Sequence, residues 1–292
     1  MGDNTRIAWS DATWNCLLGC TRVSAGCQHC YAERVIHRGL SPQHRGLTKL
    51  VNGHPAWTGE VRFVEKALTL PLQWKRPRRI FVNALSDLFH ENVPDEWIDR
   101  IFAVMALAQQ HTFQILTKRP ERMKTYVLGL GKSFERLKAS CPVGWSMEFE
   151  GIPLVRWPLG NVWLGVSVED QATADERIPV LLETQAAIRW VSYEPALEQV
   201  SFSRWLSALS WIVVGGESGA SARLFELEWA RRTVVHCQAA GCAVFVKQFG
   251  SSPVDHGEPI LMRGKADDPA DWPLDLRVQE YPGRMSDDAT IA

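Results

Sequence analysis

Six short apolar runs constrain this chain more than anything else in it: Ile80-Phe81-Val82-Asn83, Thr112-Phe113-Gln114-Ile115-Leu116, Val162-Trp163-Leu164-Gly165-Val166, Ile188-Arg189-Trp190-Val191, Trp211-Ile212-Val213-Val214 and Ala243-Val244-Phe245-Val246. Each is short, rich in β-branched and aromatic residues and almost without polar alternation. That is the pattern of a strand buried on both faces, as in a parallel sheet. Helical patterns separate the runs. Pro94 marks a helix start before Asp95 and Glu96, and Trp97, Ile101, Val104, Met105 and Ala108 recur at helical spacing, so this stripe should cover the sheet. Ala172 to Glu183 and Leu227 to Ala240 read the same way, with Gly241 as the stop. The alternation predicts an α/β fold, a TIM-type (β/α) barrel, complete or partial. Weaker strands near Ile7-Ala8-Trp9 and Val61-Arg62-Phe63-Val64 bring the count towards eight.

A chain of 292 residues is long enough for one such barrel. The barrel domain is assigned to 1–250, with a cysteine-cluster loop at 14–33. A helical insertion at about 129–159 is too long for a simple barrel loop and is read as a lid. Residues 251–292, dense in Pro, Asp and Gly, are expected to form an irregular C-terminal tail covering the barrel, with one short strand at most. Lysine plus arginine (32) nearly balances aspartate plus glutamate (33), so there is no global field to draw a polyanion, and nucleic acid is neither implied nor excluded. The first residues lack the apolar core of a signal peptide and no run reaches the ~20 apolar residues of a membrane span, so the expectation is a cytoplasmic protein with no membrane contact. In that compartment seven cysteines, an odd number, are read as thiols or metal ligands and not as disulfides.

Four of the seven cysteines fall between Cys16 and Cys30. A loop containing Gly19 and Gly26 can fold thiolates round one centre, and soft ligands suit an iron-sulfur cluster or zinc. Three ligands, Cys20, Cys27 and Cys30, leave one iron of a 4Fe-4S cluster without a protein ligand. The zinc alternative takes Cys16 as a fourth thiolate, but the six residues between Cys20 and Cys27 are fewer than the ~15 common in zinc ribbons. Leu17 and Leu18 look like core residues, which predicts that Cys16 points away from the cluster. Cys141, Cys237 and Cys242 are read as small core residues.

The segments Trp9-Ser10-Asp11-Ala12-Thr13-Trp14-Asn15, Gly19-Cys20 to Cys30-Tyr31-Ala32-Glu33, Ile80 to His90, Leu116-Thr117-Lys118-Arg119-Pro120 and Trp163 to Glu169 resemble a known family. So do Val191-Ser192-Tyr193-Glu194-Pro195, Val213 to Gly219 and Val246-Lys247-Gln248. The resemblance is to the three-cysteine-motif phage protein family of unknown function, carried by phages and bacteria, and it covers the chain up to about Gly250. It implies a radical-SAM-like protein with an unusual C-x6-C-x2-C spacing in place of C-x3-C-x2-C. In such a protein S-adenosylmethionine (SAM) chelates the open iron and is cleaved to a 5′-deoxyadenosyl radical. An electron-donating reductase would be a partner, and the phage setting points to a nucleotide, nucleic acid or peptide as the unidentified substrate. Relatives often carry proline where this chain has Cys16.

Residues just after barrel strands line the C-terminal mouth, where sites of this fold sit. Here they are polar in every loop: Ser86, Asp87 and His90; Thr117, Lys118 and Arg119; Ser167, Glu169 and Asp170; Ser192 and Glu194; Glu217 and Ser218; Lys247 and Gln248. Ser86, Asp87, Ser167, Glu169, Glu194 and Glu217 are the candidates for holding SAM, and His90, Lys118 and Lys247 for the substrate. The bland alternative for any one of them is helix capping or a supporting salt bridge. Three other signals are set aside. Gly131-Lys132-Ser133 lacks the glycine a phosphate loop needs, because Tyr126 stands there. Lys75-Arg76-Pro77-Arg78-Arg79 precedes a strand and so lies on the stability face. The thirteen tryptophans fall mostly in strand and helix patterns and are read as packing. Three functions stay open: a radical SAM enzyme, a zinc-stabilised nucleic-acid or protein binding module without turnover, and a metal-dependent hydrolase using the carboxylate ring.

Overall fold

In the computed structural model, which describes residues 5–132, 135–144 and 157–283, seven parallel strands form one curled sheet. They are β1 (Ala12–Trp14), β2 (Arg79–Val82), β3 (Thr112–Thr117), β4 (Val162–Val168), β5 (Ile188–Tyr193), β6 (Trp211–Gly215) and β7 (Ala243–Gln248), and their order in the sheet is their order in the chain. The helices that matter for packing are α1 (Tyr31–His37), α2 (Asp95–Leu107), α3 (Pro120–Lys132), α4 (Gln171–Glu183) and α5 (Leu227–Ala240). The fold is therefore mixed α/β, a half-barrel sheet surrounded by helices. Among the described residues no helix is long and apolar enough to cross a membrane.

The continuous apolar strands divide their side chains between two cores. Ile80, Val82, Ile115, Leu164, Val166, Val191, Ile212, Val214, Val244 and Val246 face the helices, where Ile101, Val104 and Met105 of the α2 stripe are fully buried. The alternate set, Phe81, Trp163, Trp190, Trp211, Val213 and Phe245, points into the curl and closes round Trp9. The Trp9 ring lies 4.8 Å from Phe81, 5.3 Å from Trp190 and 6.0 Å from Trp211 in edge-on contacts, each worth about 0.5–1.5 kcal/mol beyond burial. Gly165 makes room for this plug, since a Cβ there would sit 2.4 Å from the Trp190 ring.

Cues at the helix ends behave as capping chemistry requires. Asp170 and Thr173 form a reciprocal capping box on α4, and Gly241 (φ 72°) ends α5 in the left-handed region.

Several expected elements differ. The first strand is Ala12–Trp14, not Ile7–Trp9, because Trp9 turns inward as the plug. Arg62–Phe63 pairs antiparallel with Leu17–Leu18 outside the main sheet, so among the described residues no eighth barrel strand forms. The tail holds two short strands where the sequence predicts one at most: Pro253–Asp255 and Glu258–Pro259 form a hairpin. His256 (φ 53°) and Gly257 (φ 81°) give that turn the two positive φ angles that match the twist of paired strands. Helix α3 runs past Gly129, so the expected insertion starts later than 129. Its described part is a short helix, Glu135–Ala139, and most of the remainder lies outside the described residues.

The sheet is open between β7 and β1, and the C-terminal segment crosses the gap. Val246 N–H donates to Val278 O (2.8 Å) and Glu280 N–H to Val244 O (2.9 Å), which pairs the segment with β7. Tyr281 then packs on Trp211 and Phe245, donates to Ala8 O (3.4 Å), and lies 3.9 Å under the Arg79 guanidinium.

Candidate functional site

Above the aromatic plug, the C-terminal ends of the strands and the loops after them enclose a cavity of about 450 Å³. Its floor is Trp9, Phe81 and Leu116, and its walls carry Ser86, Asp87, Lys118, Ser167, Glu194, Glu217 and Lys247 from successive strand ends. The cysteine loop forms one side, and Cys20, Cys27 and Cys30 all line the cavity, with His29 beside them.

Local geometry explains the path of this loop. Cys16 and Leu17 are fully buried in the outer core, with Glu65 and Arg100 as the charged neighbours of Cys16, so its thiol is held among the helices. At Gly19 the chain turns with φ 92°, and a side chain would lie 2.1 Å from the Glu60 carbonyl oxygen. A short 3-10 turn at Ala25–Cys27 follows, with the Cys30 N–H donating to Cys27 O (3.3 Å), which draws Cys27 and Cys30 to one side.

Three charged anchors fix the loop to the strand ends. Glu169, fully buried, accepts from Ser24 Oγ (2.8 Å), and Gly26 packs so tightly on its carboxylate that a Cβ would be 2.4 Å away. Lys118 and Arg177 (3.1 Å) complete its partners. Burial opposes ionisation of Glu169, but Lys118 and Arg177 outweigh it and the carboxyl is held below its ordinary value. Arg223 bridges Ala25 O (3.0 Å) and Glu217 (2.7 Å), and it likewise overcomes burial to lower the Glu217 pKa. Arg119 is the third anchor. It spans Asp87 (3.0 Å), Glu91 (2.7 Å) and Thr21 Oγ1 (2.6 Å), and it points an N–H at Cys20 Sγ (3.8 Å).

The structure thus sorts the residues expected at the mouth into two layers. Cys20, Cys27, Cys30, Ser86, Asp87, Lys118, Ser167, Glu194, Glu217 and Lys247 line the cavity, whereas Glu169 and His90 lie behind it. His90 is fully buried. Its Nδ1 accepts from Asn92 N–H (3.1 Å), so the proton sits on Nε2 and faces Thr21 Oγ1 (3.0 Å). Burial and the nearby Arg119 push its pKa down. A substrate in the cavity meets Thr21, not this ring. Asp87 accepts from Phe89 N–H, Thr117 Oγ1, Lys118 N–H and Arg119, so its oxygens are committed to the protein. Ser86 Oγ donates to Leu17 O (3.0 Å). Glu194 pairs with Lys247 on the far wall, where both are only slightly exposed. Sequence reasoning does not foresee Trp9, Tyr31, Arg34 or Arg223 at the site. Tyr31 and Arg34 follow the cysteines at a helical i, i+3 spacing and so share a face, whereas nothing in the sequence around Arg223 announces its reach to Ala25.

Burial, aided by Asp87 and opposed by Arg119, pushes Cys20 up to about 12, and burial also raises Cys30. A cation bound by these two sulfurs would have to displace their protons. Among the described residues no three Cys, His, Asp or Glu side chains are already gathered into a metal-holding group.

Together these features define a class: a curled parallel α/β sheet with a polar, three-cysteine cavity at the C-terminal ends of its strands. Within that class the chain belongs to a family of unknown function, since the family model described as "Protein of unknown function (DUF5131)" matches residues 4–287. No curated protein and no solved structure matches the chain.

Proposed function

We propose that this protein is a radical-SAM-like enzyme on a partial TIM-type barrel, with Cys20, Cys27 and Cys30 as the ligands of a 4Fe-4S cluster facing the cavity. The observation that carries the reading is the separation of the four neighbouring cysteines: three line the cavity, and Cys16 is sealed in the outer core. Three thiolates leave one iron open toward the cavity, and four would close the centre. Bound there, the cluster would supply the electron for reductive cleavage of SAM, which is the cofactor's share of the chemistry.

The chain's own residues supply the rest. Glu194 and Lys247, paired with each other in the cavity, would part to offer opposite charges to an amino acid's ammonium and carboxylate. Ser167 and Ser192 supply hydroxyls on the adjoining wall, and the floor of Trp9, Phe81 and Leu116 offers a dry face to an adenine ring. Arg119 positions Cys20 and holds a positive charge beside it. An electron-donating reductase is the required partner, and the reducing cytoplasm is the proposed location.

The alternatives fare less well on specific contacts. A four-thiolate zinc site lacks Cys16, so structural zinc would need His29 as its fourth ligand. A carboxylate-bound divalent ion in a hydrolase would have to take Asp87, Glu169 or Glu217 from arginine and lysine partners they already hold. The test is anaerobic reconstitution with iron and sulfide, followed by dithionite and SAM. About four irons per chain and formation of 5′-deoxyadenosine are expected. Cys27→Ala should abolish iron loading, while Cys141→Ala and Cys16→Ala should retain it. Tight zinc with no iron uptake, or full iron content in Cys27→Ala, would overturn the assignment.

A further inference from the structure

From Arg34 to Gly59 the chain contains no aspartate or glutamate, yet it carries Arg34, Arg38, Arg45 and Lys49 and three histidines. In a chain of net charge −1, these four cations leave the remainder at −5. The charge is therefore polarised, although the total is near zero.

This stretch folds as one unit, and Arg34 and Trp57 near its two ends reach the cavity rim. Helix α1, the turn at Pro42–His44 and the hairpin of Thr48–Val51 with His54–Trp57 are tied together by His37 Nδ1 to Thr48 Oγ1 (3.3 Å), by Trp57 N–H to Glu33 (3.2 Å) and by Arg62 to Gln43 O (2.6 Å). All four cations are exposed, and among the described residues none is ion-paired with a carboxylate. By contrast, the flanking Arg22 and Arg62 are neutralised by Glu33 and Glu60. Exposed cations left without counter-charges, on a unit that also presents the apolar Leu40, Leu50 and Val51 to solvent, make little sense as a merely solvated face.

We infer that this cap is a docking surface for a single nucleic-acid strand, whose phosphates lie along Arg34, Arg38, Arg45 and Lys49 while one nucleotide enters the cavity. Nucleic acid is favoured over other polyanions because the unit joins the cavity rim through Tyr31, Arg34 and Trp57. Aromatic rings and a guanidinium lining one cavity are what an unstacked base entering it would use. The inference rests on the reading of the cavity as the place of reaction, and it names the substrate class of that reaction.

Fluorescence anisotropy of labelled 15-nucleotide RNA and DNA strands, with the full chain both before and after iron reconstitution, tests it. Micromolar or tighter binding is expected at 50 mM salt. The log–log slope against salt should be about −2 to −3, from three or four phosphate contacts at about −0.7 each. The variant Arg38→Glu/Arg45→Glu/Lys49→Glu should lose at least tenfold in affinity and flatten the slope. Trp57→Ala should lose about fivefold with the slope unchanged, and the distant Arg232→Glu should bind as the parent does. A cooperative melting transition above the assay temperature verifies that each variant folds. The RNA and DNA arms identify which polymer is preferred.

No binding at 50 mM salt, equal affinity of the charge-reversed variant, or equal competition by anionic vesicles or polyglutamate would overturn the inference. Its failure is distinguishable from failure of the cluster assignment. A protein that holds iron and cleaves SAM but ignores nucleic acid loses only the docking surface, and one that binds nucleic acid but takes up no iron loses only the cluster.

Discussion

The lower and upper halves of the interior are built from strands of the same sheet and could hardly differ more. Below, Trp163, Trp190, Trp211 and Phe245 pack round Trp9 with almost no exposed surface. Above, the strand ends carry Lys118, Ser167, Ser192 and Lys247 round an open cavity, the two lysines paired with carboxylates. The dry layer holds the strands in register and gives the wet layer a rigid base, so charges above it can be aimed without also carrying the fold.

Four substitutions would break or sharpen this contrast. The largest effect belongs to the plug: Trp211→Ala should cost about 3–5 kcal/mol in urea unfolding, while the folded fraction still loads iron. Loss of iron from the folded fraction would show that the layers are not separable.

Glu169→Gln comes next, because it leaves Lys118 and Arg177 buried with half a partner, at about 3 kcal/mol. It should also lower iron occupancy, since Ser24 and Gly26 rest on this side chain. The change has a pH signature. Folded Glu169 and Glu217 have pKa values below the ordinary 4.5, so the unfolded chain takes up protons first as the pH falls. Their stabilisation is complete above pH 4.5 and is lost as the pH drops through the folded values. The unfolding midpoint of the parent should therefore fall as the pH drops below about 4.5, and that of Glu169→Gln should fall less. Parallel curves would exclude Glu169 as a contributor.

Gly165→Ala, back in the lower layer, should cost about 1–3 kcal/mol by forcing Trp190 aside, and near-ultraviolet circular dichroism should report the shifted tryptophan. Lys247→Ala should have the smallest effect on stability, under about 1 kcal/mol, but should weaken SAM binding about tenfold in calorimetry of the iron-loaded protein. Unchanged affinity would remove the Glu194–Lys247 pair from the ligand site.

The division between the layers is legible in the amino-acid sequence, because apolar runs with polar ends are what a buried parallel strand with a site at its tip must look like. Six strands, three helices, the Gly241 stop and the polar mouth follow from that periodicity. What stays hidden depends on contacts between distant residues. Strand alternation alone puts Glu169 inward beside Ser167, and only the packing of Ser24, 145 positions away, shows that the cysteine loop covers it. His90 reads as a cavity residue for the same reason, although Thr21 stands between it and the cavity. Trp9 resembles a strand residue because a plug and a buried strand call for the same side chain. Likewise, the polarity of the Arg34–Gly59 stretch is hidden in a net charge that sums to almost nothing.

The seam between β7 and β1 has a mechanical consequence. A barrel sealed all round by backbone ladders has a circumference fixed by strand number and shear. Here the last gap is spanned by a strap that is hydrogen-bonded to β7 on one side and touches the other through Tyr281, against Ala8 and Arg79. Side-chain contacts yield more cheaply than a ladder of amide bonds. The half-barrel is therefore closed here on one side by main-chain bonds and on the other by a single tyrosine, whose ring joins the strap to the dry layer as well as to the first strands.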